Sequence, residues 1–261
     1  MNDLLFWQAV AVVLGAMVGS FLNVVIVRLP QEGQSVVFPA SHCPVCNAAI
    51  RWYDNIPLLS FVLLRRRCRA CRALISWRYP AVELAMALLS LALFRSFGLS
   101  VVFGIYFLYT AALLAIIFID AEHQLIPDVI SLPGIAIGLA LSLINPLVGW
   151  QNAAIGILVG GGSFYLIAWV YYLITKREGM GGGDIKLLAM IGAFQGWQAL
   201  PFVVFISSLL GTVVGIGAMV KQRKGGRTVI PYGPFLAIAS LLYLFFRREI
   251  LLFFFRFVLG R

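Results

Sequence analysis

The sequence predicts an all-α polytopic membrane protein of about eight transmembrane helices with one sizeable polar loop, and three observations carry that expectation. Of 261 residues, 62% are apolar and only 11% are charged, more apolar surface than one soluble core can hide. The apolar residues fall into runs near the ~20 needed to cross a bilayer. Short polar breaks separate the runs and hold most of the charges.

Taken in order, the runs place crossings at 4–27, 80–95, 100–119, 130–147, 153–174, 185–198, 200–220 and 232–247. The first opens on Met1 to Trp7, with Asp3 and no basic residue, and no small-x-small cleavage site follows. It is expected to stay as an anchor and not to be removed as a signal peptide. Three regions result: the first helix over 1–27, a cytoplasmic four-cysteine region over 28–79, and a helical membrane region over 80–261.

Basic residues resist translocation, so their distribution sets orientation. Stretch 28–79 holds eight (Arg28, Arg51, Arg65, Arg66, Arg67, Arg69, Arg72 and Arg78) against Glu32 and Asp54. The breaks at 96–99 and 145–152 hold none. Stretch 28–79 is therefore cytoplasmic, and Lys176, Arg177 and Lys186, then Lys221, Arg223, Lys224 and Arg227, return to that side. The N-terminus points outward. Arg247, Arg248, Arg256 and Arg261 of the tail break the pattern by falling outside. The net charge of +10 does not indicate nucleic acid, because its residues sit beside the membrane, where topology and anionic headgroups account for them.

All four cysteines lie in the polar stretch, as Cys43-Pro-Val-Cys46 and Cys68-Arg-Ala-Cys71. Two such pairs can supply a tetrahedral four-sulfur zinc site with no position left for water. Arg67, Arg69 and Arg72 would help keep the thiolates ionised. The competing reading, disulfides or a redox pair, suits a reducing cytoplasm poorly. A closed site folds a stretch too small for its own core and does not activate water. His42 reads as a solvated loop histidine.

Acidic residues at membrane segments are costly and each requires a reason. The third run ends at Ile119-Asp120, followed by Glu122, Leu125-Ile-Pro127 and Asp128; the sixth begins after Gly179-Met-Gly-Gly-Gly183-Asp184-Ile-Lys186. By the topology above, Asp120 and Asp184 lie at one membrane face. Singly, Asp184 reads as a helix cap, Asp120 as a solvated helix end and Asp128 as a cap after Pro127. Together they read differently: the glycines would let extended backbone come close to one aspartate, with another at matching depth. Two carboxylates a few ångströms apart share one proton near neutral pH. The ionised member can then take a proton from water while the other donates to a scissile carbonyl.

Asp120 with Leu125-Ile-Pro-Asp128, together with Gly181-x-Gly183-Asp184 and Lys186, resembles the signature of the bacterial type IV prepilin peptidases, of the GxGD class of intramembrane aspartyl proteases. The resemblance extends through Gly19-Ser-Phe-Leu-Asn-Val-Val-Ile-x-Arg28-Leu-Pro30, Trp52-Tyr-Asp-Asn-Ile-Pro57, Arg78-Tyr-Pro-x-Val-Glu83 and Pro231-Tyr-Gly-Pro-Phe235. Arg66 departs from it, standing where glycine is expected before the second cysteine pair. The resemblance implies Asp120 and Asp184 as the catalytic pair, with Gly181, Gly183, Lys186 and Asp128 in support. It also implies removal of a short basic leader from the prepilins and pseudopilins of type IV pili and type II secretion, at the cytoplasmic face of the inner membrane. Methylation of the new N-terminus with S-adenosylmethionine follows from the same resemblance, the alternative being a peptidase alone.

No Gly-x-Gly-x-x-Gly follows a strand, so a methyl-donor site would be unconventional. Asn23, Arg28 and Glu83 are its candidates, with helix-packing amide, interfacial anchor and first-turn acid as their bland alternatives. The zinc loop is itself basic, so Glu122, Glu178 and Asp128 are the expected contacts for a basic leader. An ion-coupled transporter would place its acids near the midplane, whereas these lie at helix ends. That reading also gives the zinc loop no task, and a zinc-binding membrane scaffold is the other non-enzyme alternative. A zinc protease lacks its His-Glu-x-x-His.

Overall fold

The computed structural model describes residues 2–31, 33–177, 179–222 and 230–258. Among them there is no strand, only two isolated bridges. The helices are α1 (Asn2–Arg28), α2 (Leu59–Leu63), α3 (Arg78–Phe97), α4 (Val101–His123), α5 (Asp128–Leu141), α6 (Trp150–Thr175), α7 (Gly182–Gln195), α8 (Leu200–Gln222) and α9 (Gly233–Val258). Among the described residues, five spans are long and apolar enough to cross a bilayer: Asp3–Arg28, Arg78–Phe97, Val101–His123, Trp150–Thr175 and Trp197–Val220. Each expected crossing finds a helix, but three differ in extent or position. The expected run 130–147 ends as a helix at Leu141, 185–198 keeps its length but shifts to Gly182–Gln195, and 232–247 continues to Val258 past a non-helical Phe246. At 14 residues each, α5 and α7 rise about 21 Å, short of a full hydrocarbon core.

The chain divides into two compact units, Met1–Ala115 and Ile116–Arg261. In the first, α1 packs along α3 through small residues four apart. A Cβ on Gly15 would meet the Met86 carbonyl at 2.7 Å, and one on Gly19 the Glu83 Cα at 2.7 Å, so the backbones touch as in membrane helix pairs. Ser90 Oγ donates to the Ala11 carbonyl at 2.7 Å. One turn beyond Gly19, Asn23 donates to the carbonyls of Gly19 (3.3 Å) and Tyr79 (3.1 Å).

In the second unit α7 is the hub. Residues 187–195 are all buried, the expected state of a helix that is apolar on every face. Gly192 of α7 and Gly156 of α6 press backbone to backbone, a Cβ on Gly156 falling within 2.4 Å of the Gly192 carbonyl oxygen. At its far end Gln195 donates to the Ser240 carbonyl at 2.9 Å and accepts from Ser240 Oγ at 3.1 Å, which pins α7 to α9. These contacts fix the height of the α7 N-terminus, and Asp184 with it.

Candidate active site and four-cysteine cluster

Asp120 occupies the last turn of α4 and is only 5% exposed. Asp184 lies in the first turn of α7 and is half-buried. The charge of Asp120 acts on Asp184, and the glycines beside them, Gly233 and Gly183, both press on Ile126, so helix packing gathers residues sixty-four positions apart. Both meet helix N-termini, where unpaired N–H groups favour negative charge. Asp184 sits at the start of its own helix, and Asp120 accepts the backbone N–H of Gly233, the first residue of α9.

Ile126 links the two halves. A Cβ on Gly183 would lie 2.9 Å from the Ile126 Cβ, and one on Gly233 would lie 2.9 Å from Ile126 Cδ1 and 2.5 Å from Asp120 Oδ2. Gly183 is thus closed to larger residues by packing. Gly181 is less confined, its nearest neighbour being Asp184 Oδ2 at 3.5 Å. Gly233 and Ile126 carry no role legible in local sequence beyond the motifs that hold them; for Gly233 the signal is a glycine within Pro231-Tyr-Gly-Pro-Phe235, just ahead of the last apolar run.

Lys186 holds both oxygens of Asp128, at 2.6 and 2.8 Å, and ties the segment after α4 to α7. Asp128 is therefore already paired with a lysine where a leader contact was expected. Glu122 is exposed near the end of α4, and Glu178 lies outside the described residues.

In the first unit the two Cys-x-x-Cys turns are near copies. Asn47 N–H donates to the Cys43 carbonyl (2.9 Å) and Cys43 N–H to the Ala48 carbonyl (3.0 Å); Arg72 to Cys68 (3.0 Å) and Cys68 to Ala73 (2.8 Å) repeat the pattern. Asn47 and Arg72 both take positive φ, 54° and 61°. All four sulfurs lie within 4.8 Å of one another, with Cys43 Sγ and Cys71 Sγ 3.8 Å apart. Sulfurs tetrahedral about zinc at 2.3 Å would stand about 3.8 Å apart, whereas a disulfide needs about 2 Å. The N–H groups of Cys71 and Ala70 draw the Cys68 thiol down to about 7, while burial and the neighbouring thiols push that of Cys71 up to about 11, so four thiolates together call for a cation between them. The cluster fits zinc and has no open ligand position. Arg66, the departure from the family pattern, does adopt φ 60°. Its Nε bonds the Ile75 carbonyl at 3.0 Å and its guanidinium lies 5.2 Å from the Trp77 ring centre.

The three methyl-donor candidates are engaged in packing. Glu83 accepts the N–H of Leu58 at 2.8 Å, at φ 62°. Arg28 donates to the carbonyls of Ser35 (3.2 Å) and Ala40 (3.5 Å). Asn23 bridges α1 and α3, its Oδ1 buried with no donor. A cavity of about 350 Å³ opens beside Arg28, lined otherwise by Phe21, Val24, Val36, Val37, Pro39, Ala40 and Ser41. Its guanidinium suits a carboxylate and its walls a flat base, but no acid lines it to meet a sulfonium. These residues do not make a fitting S-adenosylmethionine site.

Long apolar helices with a four-cysteine loop define a polytopic membrane protein. The Bacterial Peptidase A24 N-terminal domain model matches residues 13–97 and the Type IV leader peptidase family model residues 107–216. The prepilin leader peptidase/N-methyltransferase of Stutzerimonas stutzeri is 43% identical over 88% of this chain and 87% of its own length. Those of Pseudomonas putida (41%, 90% and 89%) and Aeromonas hydrophila (42%, 86% and 85%) are similar. The chain belongs to the type IV leader peptidase family, a family of membrane aspartic proteases. No solved structure matches it.

Proposed function

We propose that this chain removes the leader from membrane-inserted prepilins and pseudopilins and methylates the amine so exposed. Asp120 and Asp184 are the reacting pair. One carboxylate, ionised, takes a proton from a water as that water attacks the scissile carbonyl; the other, protonated, donates to the carbonyl oxygen. The roles reverse as the tetrahedral intermediate collapses, and no covalent enzyme intermediate forms. The observation that carries this reading is the meeting of two carboxylates from separate helices beside glycine-lined backbone, where extended substrate can approach.

Gly181 keeps that approach open, Gly183 lets the start of α7 close on Ile126, and Lys186 with Asp128 holds the α4–α5 segment against α7. Cys43, Cys46, Cys68 and Cys71 hold a structural zinc ion that fixes the cytoplasmic loop. S-adenosylmethionine supplies the methyl group when bound. The basic residues gathered in 28–79 support a site at the cytoplasmic face of the inner membrane with the N-terminus outside. Mass spectrometry of a prepilin incubated with purified protein and S-adenosylmethionine tests both activities. Loss of the leader and gain of one methyl are expected; an intact prepilin refutes the protease, and a cleaved, unmethylated product refutes the transferase.

A further inference from the structure

Gly233 has not been assigned a role by its family motif, and three observations meet there. Its N–H points at the Asp120 carboxylate. That N–H belongs to the first residue of a 26-residue helix, so no intrahelical carbonyl competes for it. A Cβ at this position would stand 2.5 Å from Asp120 Oδ2 and 3.2 Å from Asp120 Cγ. The carboxylate therefore occupies the space a side chain at 233 would need.

We infer that Gly233 is a positioning residue of the carboxylate pair: its backbone N–H holds Asp120 toward Asp184, and its missing side chain leaves the room that carboxylate fills. This rests on the reading of Asp120 and Asp184 as the reacting groups. Substitution acts through Asp120 and not through substrate binding, because the third atom near the added Cβ, Ile126 Cδ1 at 2.9 Å, is the far end of a flexible side chain and can move aside. Asp120 can move only by leaving its partner.

The test uses the full chain in detergent or nanodiscs, measuring leader release and, separately, methyl transfer to an already cleaved substrate peptide. Gly233→Ala should lower kcat for leader release about 100-fold with KM within about two-fold, and should leave methyl transfer intact. Ile126→Val, which removes Cδ1, should not restore the Gly233→Ala enzyme. A backbone ester at 233, made by cell-free incorporation of glycolic acid, removes the N–H without adding an atom. It should lower kcat about 10-fold at unchanged KM. Gly217→Ala, where a Cβ meets nothing within 4 Å, should behave as wild type.

Restoration by Ile126→Val, or an ester variant with wild-type kcat, overturns the inference; where the alanine variant fails to fold, the ester decides alone. Asp120→Asn run in parallel separates this idea from its premise. An active Asp120→Asn refutes the carboxylate pair itself, whereas an inactive Asp120→Asn beside a wild-type ester variant refutes only the role of Gly233.

Discussion

The four-cysteine cluster and the carboxylate pair converge their side chains by different means. Each cysteine pair is placed by a turn of a few residues, closed by backbone bonds such as Asn47 N–H to Cys43 and Arg72 N–H to Cys68. Only the meeting of two such turns is long-range. The carboxylates stand on different helices, and their distance is set by packing at remote contacts, Gly156 on Gly192 and Gln195 with Ser240. A local device tolerates change elsewhere in the chain. A packed one transmits it, so substitutions far from Asp184 should reach the second site more readily than the first.

The largest expected effect tests the packed site directly. Replacing Asp120 or Asp184 by its amide removes the proton exchange and should lower leader release by about 10³-fold or more, with zinc content unchanged. Next comes Gly192→Ala. Its Cβ would meet the Gly156 carbonyl oxygen at 2.2 Å, and because both partners are backbone, α6 and α7 must separate. Leader release should fall by about 10-fold or more, while the cysteine loop keeps its metal. A matching loss of zinc would break the contrast between the two sites.

Cys43→Ser, or chelation, should do the reverse. The loop between α1 and α3 should become sensitive to limited proteolysis, since structural zinc supplies folding energy outright, while leader release falls less than in the amide variants. Smaller still is the Lys186–Asp128 pair. With side chains 35% and 54% exposed, a double-mutant cycle on thermal stability should give a coupling of about 0.2–1 kcal/mol. A value of several kcal/mol would mean that the pair is sequestered from solvent.

The smallest expected effect is at Arg66. Glycine there relieves a positive φ worth about 1–2 kcal/mol but loses the Trp77 contact, worth about 0.5–1 kcal/mol. Arg66→Gly should stay within about 1 kcal/mol of wild type, while Arg66→Ala, which keeps the Cβ and loses the contact, should be the less stable of the two. The order of melting temperatures checks this.

The cysteine site was readable because its spacing encodes its geometry, and the crossings because lipid demands long apolar runs. One helix was misjudged in length and another in what surrounds it. Apolar composition continues past Leu141, yet the backbone turns at Ser142–Ile144, and α7 is apolar because protein surrounds it, a state that periodicity cannot tell from lipid exposure. Depth and the glycine-rich approach suggest Asp120 and Asp184 as a pair, and the family resemblance ranks them above Asp128. Gly233 was not legible, because what distinguishes it is the carboxylate in its side-chain space, a contact between positions 120 and 233 that local pattern does not carry. Glu83 and Arg28 were weighed for a ligand and instead hold backbone, Leu58 for one and Ser35 with Ala40 for the other.

The most direct measurement is leader release from a prepilin by purified Asp184→Asn protein, with zinc content and melting temperature read on the same sample. The account predicts cleavage reduced by about 10³-fold or more in a protein that keeps its zinc and melts as wild type does. Turnover near the wild-type rate in that folded, metal-loaded variant would contradict it.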